Sequence, residues 1–255
     1  MGLLSGRHAL ITGGGTGIGA AIAVALAQAD AAVTIVGRRK GPLQEVAARL
    51  PMVAAVAADV TQEADCDAIM QAARAAHGPV DIVIANAGMA ESAPAARTDF
   101  DHWQRMIGVN LTGAFLTARA ALGDLTRGAP GGGRIIFVAS TAGLKGYPYA
   151  AAYCAAKHGV IGLMRALSLE FASKGVTVNA VCPGYTETPL LEASVGTIVA
   201  KTGRTAEESR AALARDNAHG RLVTPEEVAQ AVLWLCSSAA SSVNGQAIAI
   251  AGGPP

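Results

Sequence analysis

The sequence is poor in aromatic residues and poor in charge. Its aromatics are two Trp, four Tyr and four Phe, and only 15% of its 255 residues are charged, against roughly a quarter in ordinary soluble domains. A chain so short of charge must cover much of its surface, either within a doubly covered sheet or against copies of itself. Basic and acidic residues balance (20 against 19), and the longest basic run is Arg38-Arg39-Lys40. That excludes the electrostatic footprint of a nucleic-acid or anionic-membrane binder. The four cysteines, Cys66, Cys154, Cys182 and Cys236, form no Cys-x-x-Cys pair and no His-flanked cluster. No metal is expected, and the thiols read as small hydrophobes in a reducing compartment, the cytoplasm. No basic start followed by a long apolar stretch announces a secretory signal. Residues 9–29 carry no formal charge, but "TGGGTGIG" lies inside that run, and so many glycines break any single spanning helix. With no repeat, linker or composition break, one unit over residues 1–255 is expected.

What the sequence has in abundance is alternation. Short apolar runs, "ALIT" (9–12), "AVTIV" (32–36), "MVAAVA" (52–57), "DIVIAN" (81–86), "RIIFVAS" (134–140), "VTVNAV" (176–181) and "QAIAI" (246–250), are separated by longer Ala-rich stretches. Continuously apolar runs suit parallel strands buried on both faces. The expected fold class is therefore α/β, a Rossmann-type doubly wound sheet of about seven parallel strands with helices on both faces. Helix starts are legible at Thr224-Pro225-Glu226-Glu227 and at Thr205-Ala-Glu-Glu208, and Thr98-Asp-Phe-Asp101 resembles a capping box with Asp in place of Glu. From Thr186 to about Gly220 no strand is expected, and a segment of that length reads as a lid or substrate loop.

"LITGGGTGIGAAIAVALAQ" runs from a strand through glycines into a helix. Such a turn lets backbone N–H groups at a helix N-terminus meet a pyrophosphate. Gly13, Gly17 and Gly19 follow a G-x-x-x-G-x-G spacing. A site for NAD places an acid at the end of the second strand, about twenty residues on. Here that strand ends in Gly37, followed by Arg38 and Arg39, while Asp30 precedes it in a turn where Asp tolerates a left-handed conformation. Guanidinium groups suit a 2′-phosphate, which points to NADP(H), with NAD(H) as the alternative.

Three of the four tyrosines fall within seven positions of "KGYPYAAAYCAAKHG" (145–159), and a lysine follows the last of them by four residues. Tyr153 and Lys157 would share one helix face. Together with "TGGGTGIG" (12–19), "ADV" (58–60), "NAG" (86–88), "VNLTGAF" (109–115), "VASTAG" (138–143), "YCAAK" (153–157) and "CPGYTET" (182–188), in that order along the chain, this resembles the short-chain dehydrogenase/reductase family, and its ketoacyl and polyketide ketoreductase branches in particular. The resemblance implies that Tyr153 is the acid/base, that Lys157 together with the positive nicotinamide ring of the oxidised cofactor lowers its pKa, that Lys157 also binds the nicotinamide ribose, that Ser140 binds the reacting oxygen, and that Asn110 completes a water relay to Lys157. It further implies cofactor contacts from Gly13, Thr16, Gly17, Ile18 and Gly19, from Arg38, Arg39, Asp59 and Val60, from Asn86, Ala87 and Gly88, and from Pro183, Gly184, Thr186 and Thr188. Gly15 stands where many members carry a serine, which removes one cofactor hydrogen bond. His158, one step along the helix from the lysine, is expected to point away and be structural.

The resemblance implies an NADP(H)-dependent reductase of a ketone, a 3-oxoacyl thioester or a related small molecule. Alternatives are an NAD(H)-dependent secondary-alcohol, 3-hydroxyacyl or sugar-alcohol dehydrogenase, and a catalytically silent dinucleotide-binding protein. Leu144, Gly146, Tyr147, Tyr149, Tyr185 and residues 189–219 would face the substrate. On the helix after Tyr153, the residues Val160, Leu163, Met164, Leu167 and Phe171 form one stripe while Ile161 and Leu169 lie off it. With the family resemblance, the off-stripe residues imply a homotetramer, or failing that a dimer.

Overall fold

The computed structural model describes residues 2–128 and 131–254; Met1, Ala129, Pro130 and Pro255, which the expected 1–255 unit includes, lie outside the described residues. The seven strands are β1 (His8–Thr12), β2 (Ala32–Gly37), β3 (Val53–Ala57), β4 (Ile82–Ala85), β5 (Gly133–Val138), β6 (Val176–Pro183) and β7 (Ala247–Ile250). They form one sheet in the order β3-β2-β1-β4-β5-β6-β7, and every pairing is parallel. Each expected strand is present within two residues of its expected ends.

Successive side chains of a strand point to opposite faces, and here both faces are covered. In β1, Ala9 and Ile11 pack on one side with Ile22 and Leu26 of α1 (Gly17–Gln28) and Val228 and Leu235 of α9 (Pro225–Cys236). Leu10 faces the other side, toward Ile69 of α3 (Glu63–His77), Ala118 of α5 (Gly113–Leu125) and Met164 of α6 (Ala151–Phe171). This double coverage explains the unbroken apolar runs. A short helix α2 (Lys40–Ala47) leads into β3.

The order of the strands reverses between β1 and β4, and there the carboxyl ends diverge into a crevice, the usual ligand position in an open α/β sheet. Thr12 ties the crevice together. Its buried hydroxyl donates to the Ile84 carbonyl (3.4 Å) and accepts from the Asn86 and Ala87 N–H groups (3.1 Å each).

Helix starts follow the expected signals with one correction. Thr205 opens α8 (Ala206–Arg215) and Thr224 opens α9, each in a complete capping box with a glutamate. At α4 (Phe100–Ile107) the cap is Asp99, whose carboxylate accepts from the His102 N–H at 2.7 Å. Thr98 instead donates to the Pro94 carbonyl; the charged acceptor one residue later takes the helix N-terminus. Asp30 is left-handed, with φ 67°.

The strandless segment after β6 holds α7 (Pro189–Thr202) and α8, and an isolated β-bridge pairs Thr186 with Val223. The two helices share a small core of their own, Leu191, Val195 and Leu213. On α6, Val160, Met164, Leu167 and Phe171 are buried and Leu163 partly so. Ile161, expected to face outward, is buried as well, because the turn at Thr141–Gly143 packs over it; Leu169 is 83% exposed.

Candidate active site

Two cavities flank the N-terminus of α1. The smaller, about 190 Å³, is lined by Gly13 and Thr16 of the glycine-rich turn, by Arg38 and Arg39, and by Asp59 and Val60. Gly15, Ala87 and Gly88 also reach it. The larger, about 650 Å³, is lined by Ile18, Ser140 and Tyr153. Pro183, Gly184, Thr186 and Thr188 complete that side. The first turn of α1 thus presents Thr16 to one cavity and Ile18 to the other.

The glycines are required by geometry. Gly13 and Gly17 take φ of 66° and 53°, a region costly for residues with a Cβ. A Cβ on Gly19 would lie 2.2 Å from the Gly13 carbonyl oxygen and 2.5 Å from Asn86 Nδ2. The Asn86 amide donates to the Thr12 carbonyl (2.8 Å) and the Gly13 carbonyl (3.2 Å). Asn86 therefore holds the shape of the turn, and its two neighbours Ala87 and Gly88 line the cavity. Arg38 and Arg39 are exposed at the end of β2; among the described residues, neither makes a salt bridge. An extended cradle of small residues, helix N–H groups and two unpaired guanidinium groups fits a dinucleotide.

Ser140 lies two residues beyond the end of β5, in extended conformation, and starts a short turn. Its hydroxyl accepts from the Ala142 N–H (3.1 Å) and donates to the Pro183 carbonyl (3.5 Å). Tyr153 sits in the first turn of α6, and Lys157 follows one turn later, its Nζ 5.7 Å from the Tyr153 ring centroid. Lys157 is buried and donates to the Val138 carbonyl at 2.9 Å. Asn110 stands in a π-turn at Gly108–Thr112, a type of bulge frequent at functional sites. Its amide donates to the Met89 (2.9 Å) and Met106 (3.0 Å) carbonyls, and its Oδ1 accepts from the Met89 N–H. A Cβ on Gly88 would lie 2.9 Å from Asn110 Oδ1 and 3.7 Å from Lys157 Nζ. Asn110 and Lys157 therefore face one small space that glycine keeps open.

Before any cofactor charge is added, burial pushes the Tyr153 phenol up to about 12, with the neighbouring Ser140 hydroxyl pulling the other way. Burial also brings Lys157 down to about 8. The ammonium is directed at the Val138 carbonyl and lies by the ring, not at the hydroxyl, so desolvation outweighs its attraction for a phenolate.

His158 is exposed and bonds the Cys154 carbonyl, away from the site as expected. Thr186 and Thr188 make hydrogen bonds within their own loop. Thr186 donates to the Gly184 carbonyl, while Thr188 caps α7 and donates to the Thr186 carbonyl. The residue that sequence reasoning missed is Asn217, which is buried. It accepts from the Tyr185 N–H (3.0 Å) and donates to the Tyr185 (2.9 Å) and Arg221 (2.7 Å) carbonyls, clamping the start of the 186–220 segment to its end. No local pattern marks it, because two of its three hydrogen bonds go to Tyr185, 32 positions away. Tyr147 and Tyr185 stand edge to face at 6.1 Å in the cavity wall, and the Tyr147 hydroxyl bonds Thr141.

A doubly wound sheet with these cavities at its switch point defines a nicotinamide-dinucleotide oxidoreductase. The chain belongs to the short chain dehydrogenase family, whose model matches residues 7–197. It is 39% identical over 252 residues to cis-4-hydroxycyclohexanecarboxylate dehydrogenase of Sinomonas cyclohexanicum, covering 97% of this chain and 96% of that protein. Among solved structures it resembles a variant of actinorhodin polyketide ketoreductase with NADPH, with a TM-score of 0.92, 35% identity and coverage of 97% and 96%. A 3-ketoacyl-(acyl-carrier-protein) reductase from Brucella melitensis complexed with NADH matches with a TM-score of 0.89, 35% identity and coverage of 98% and 99%.

Proposed function

We propose that this oxidoreductase uses NADP(H) to reduce a ketone, a 3-oxoacyl thioester or a related compound, to a secondary alcohol. The observation that carries the reading is the convergence of Ser140 and Tyr153 on one cavity wall, with Lys157 behind the tyrosine ring. The nicotinamide cofactor supplies the hydride. Ser140 and Tyr153 hold the carbonyl oxygen between two hydroxyls, and as negative charge builds on that oxygen the phenol gives up its proton. A phenol near 12 is fully protonated at neutral pH, the form a general acid needs. Lys157 and Asn110 share the space beside Gly88, which supports a relay that returns a proton to Tyr153.

Arg38 and Arg39 support NADP(H), since neither is neutralised by a carboxylate within the described residues. An NAD(H)-dependent alcohol dehydrogenase is the second reading; it draws on the Brucella melitensis neighbour's NADH. We read the chain as one catalytic unit with 186–220 as its substrate segment, and its four unpaired, buried cysteines suit the cytoplasm. Among the described residues no helix is long and apolar enough to cross a membrane. Leu169, Phe115 and Trp234 are exposed and support assembly into a homotetramer. The test is NADPH consumption against a panel of ketones and 3-oxoacyl thioesters, followed by identification of the alcohol formed. A panel without turnover, under conditions where the cofactor binds, would overturn the reading.

A further inference from the structure

The wall of the larger cavity is hydroxyl-rich and apolar. Ser140, Thr141, Tyr147, Tyr153, Tyr185 and Ser194 bring hydroxyls to it, and Leu190, Leu191, Ile198 and Leu213 bring aliphatic carbon. Among the described residues, no lysine or arginine lines it. Its titratable side chains other than the tyrosines are Glu91 and His102, which sit together on the side of α4, with His102 Nδ1 3.8 Å from Glu91 Oε2.

Four cations on neighbouring elements each have a partner already. Arg105 is held by Glu91 at 3.2 Å. Lys145 stacks its ammonium on the Tyr147 ring, 5.1 Å from the centroid. Arg210 is paired with Glu192 between α8 and α7. Lys157 is buried against the Val138 carbonyl and is not part of the wall. A carboxylate carried into this cavity close to the ketone would exchange water for hydroxyls and aliphatic carbon, and the Arg105 guanidinium that could meet it is already held by Glu91. An unpaired charge is costly to bury, whereas a neutral amide, ester or ring is not.

We propose that the site selects uncharged ketones and discriminates against ketones that carry a carboxylate within a few bonds of the reacting carbonyl, with Glu91 as a determinant of that selection. The inference rests on the ketone-reductase reading. It places free 3-oxo acids and oxocycloalkane carboxylates outside the preferred substrates, and admits their esters, amides and thioesters.

The test uses near-isosteric pairs, 3-oxobutanoate against 3-oxobutanamide and 4-oxocyclohexanecarboxylate against 4-oxocyclohexanecarboxamide, with NADPH and the full chain. The amides are expected to exceed the carboxylates in kcat/KM by at least about tenfold, with the difference residing mainly in KM. In Glu91→Gln, which removes the like charge and frees Arg105, the carboxylate-to-amide ratio of kcat/KM is expected to rise by about two- to fivefold, the scale of a partly exposed ion pair. Equal kcat/KM within both pairs would overturn the inference and leave the reductase reading standing. A ratio that Glu91→Gln does not move would overturn the role given to Glu91. Absence of turnover with these probes and with the wider ketone panel would overturn the reductase reading itself, and this inference with it.

Discussion

The Lys157 ammonium stands 5.7 Å from the centroid of the Tyr153 ring, while its hydrogen bond goes to the Val138 carbonyl, 2.9 Å away. The lysine is thus anchored to β5 and pressed against the face of the tyrosine, one helical turn from it. The two side chains divide the work: the phenol hydroxyl meets the cavity, and the ammonium meets the space beside Gly88. Tyr153→Phe keeps the ring and removes only the hydroxyl. Turnover is expected to fall at least about 10²-fold, with NADPH affinity almost unchanged by fluorescence titration. Lys157→Ala is expected to impair both turnover and cofactor affinity. A Tyr153→Phe enzyme with a large fraction of the original rate would remove Tyr153 from its role.

The cofactor preference is expected to follow Arg38 and Arg39. NADPH should bind at least about tenfold more tightly than NADH, the scale of one charge-assisted contact. Arg38→Asp is expected to reverse the order, since a carboxylate accepts from a free ribose 2′-hydroxyl and repels a phosphate. Equilibrium titration of both cofactors decides the matter.

Asn217 is expected to matter for stability and for substrate, but not for cofactor. Replacing it with Ala removes three hydrogen bonds and takes the partner from the Tyr185 N–H and the Arg221 carbonyl, while the Tyr185 carbonyl keeps the Val223 N–H. The cost is about 1–3 kcal/mol for a buried group left unsatisfied. Thermal unfolding should begin earlier and KM should rise, with the NADPH dissociation constant retained. Gly184→Ala is expected to disturb the same clamp from the other side, because its Cβ would lie 2.1 Å from Asn217 Oδ1.

Acid sensitivity is expected from His8, at the end of the sheet opposite the site. Its ring bonds the Gly78 carbonyl and the Thr34 hydroxyl at 2.9 Å each, and packs edge to face on His77. Burial, and the neighbouring His77, lower its pKa from the ordinary 6.5, against opposing pulls from the Gly78 carbonyl and Asp81. A histidine lowered on folding binds its proton more readily when unfolded. Its contribution is therefore complete above pH 6.5 and declines as the pH falls below that value toward the lowered pKa. Denaturant midpoints measured from pH 7.5 down to pH 5 should fall, and should fall less in His8→Gln.

Assembly is open to a direct measurement. Leu169 is 83% exposed on α6 and Phe115 is 39% exposed on α5. Light scattering at micromolar concentration is expected to give a tetramer, and Leu169→Glu or Phe115→Glu a smaller species. A monomer mass for the unaltered chain would mean that these apolar side chains face solvent.

Much of this protein was determined locally. Strands buried on both faces need unbroken apolar runs, and the alternation of Ala9, Leu10 and Ile11 between two cores is the reason that "ALIT" reads as it does. Capping boxes at Thr205 and Thr224 are signals confined to four residues, and they hold without help from the rest of the chain. The glycine-rich turn and the Tyr153–Lys157 pair are equally local, one set by backbone conformation and the other by helical pitch. Tertiary structure decided what depends on distant partners. It buried Ile161 beneath the Thr141–Gly143 turn, where helix periodicity alone would leave it outside. It turned the Asn86 amide toward the Thr12 and Gly13 carbonyls, over 70 positions away in sequence. It brought Asn217 against Tyr185, it directed the Lys157 ammonium to the Val138 carbonyl, and it buried the Tyr153 phenol, which raises its pKa. Hydrogen-bond partners, burial and the charge lining a cavity are properties of juxtaposition, and no window of sequence contains them.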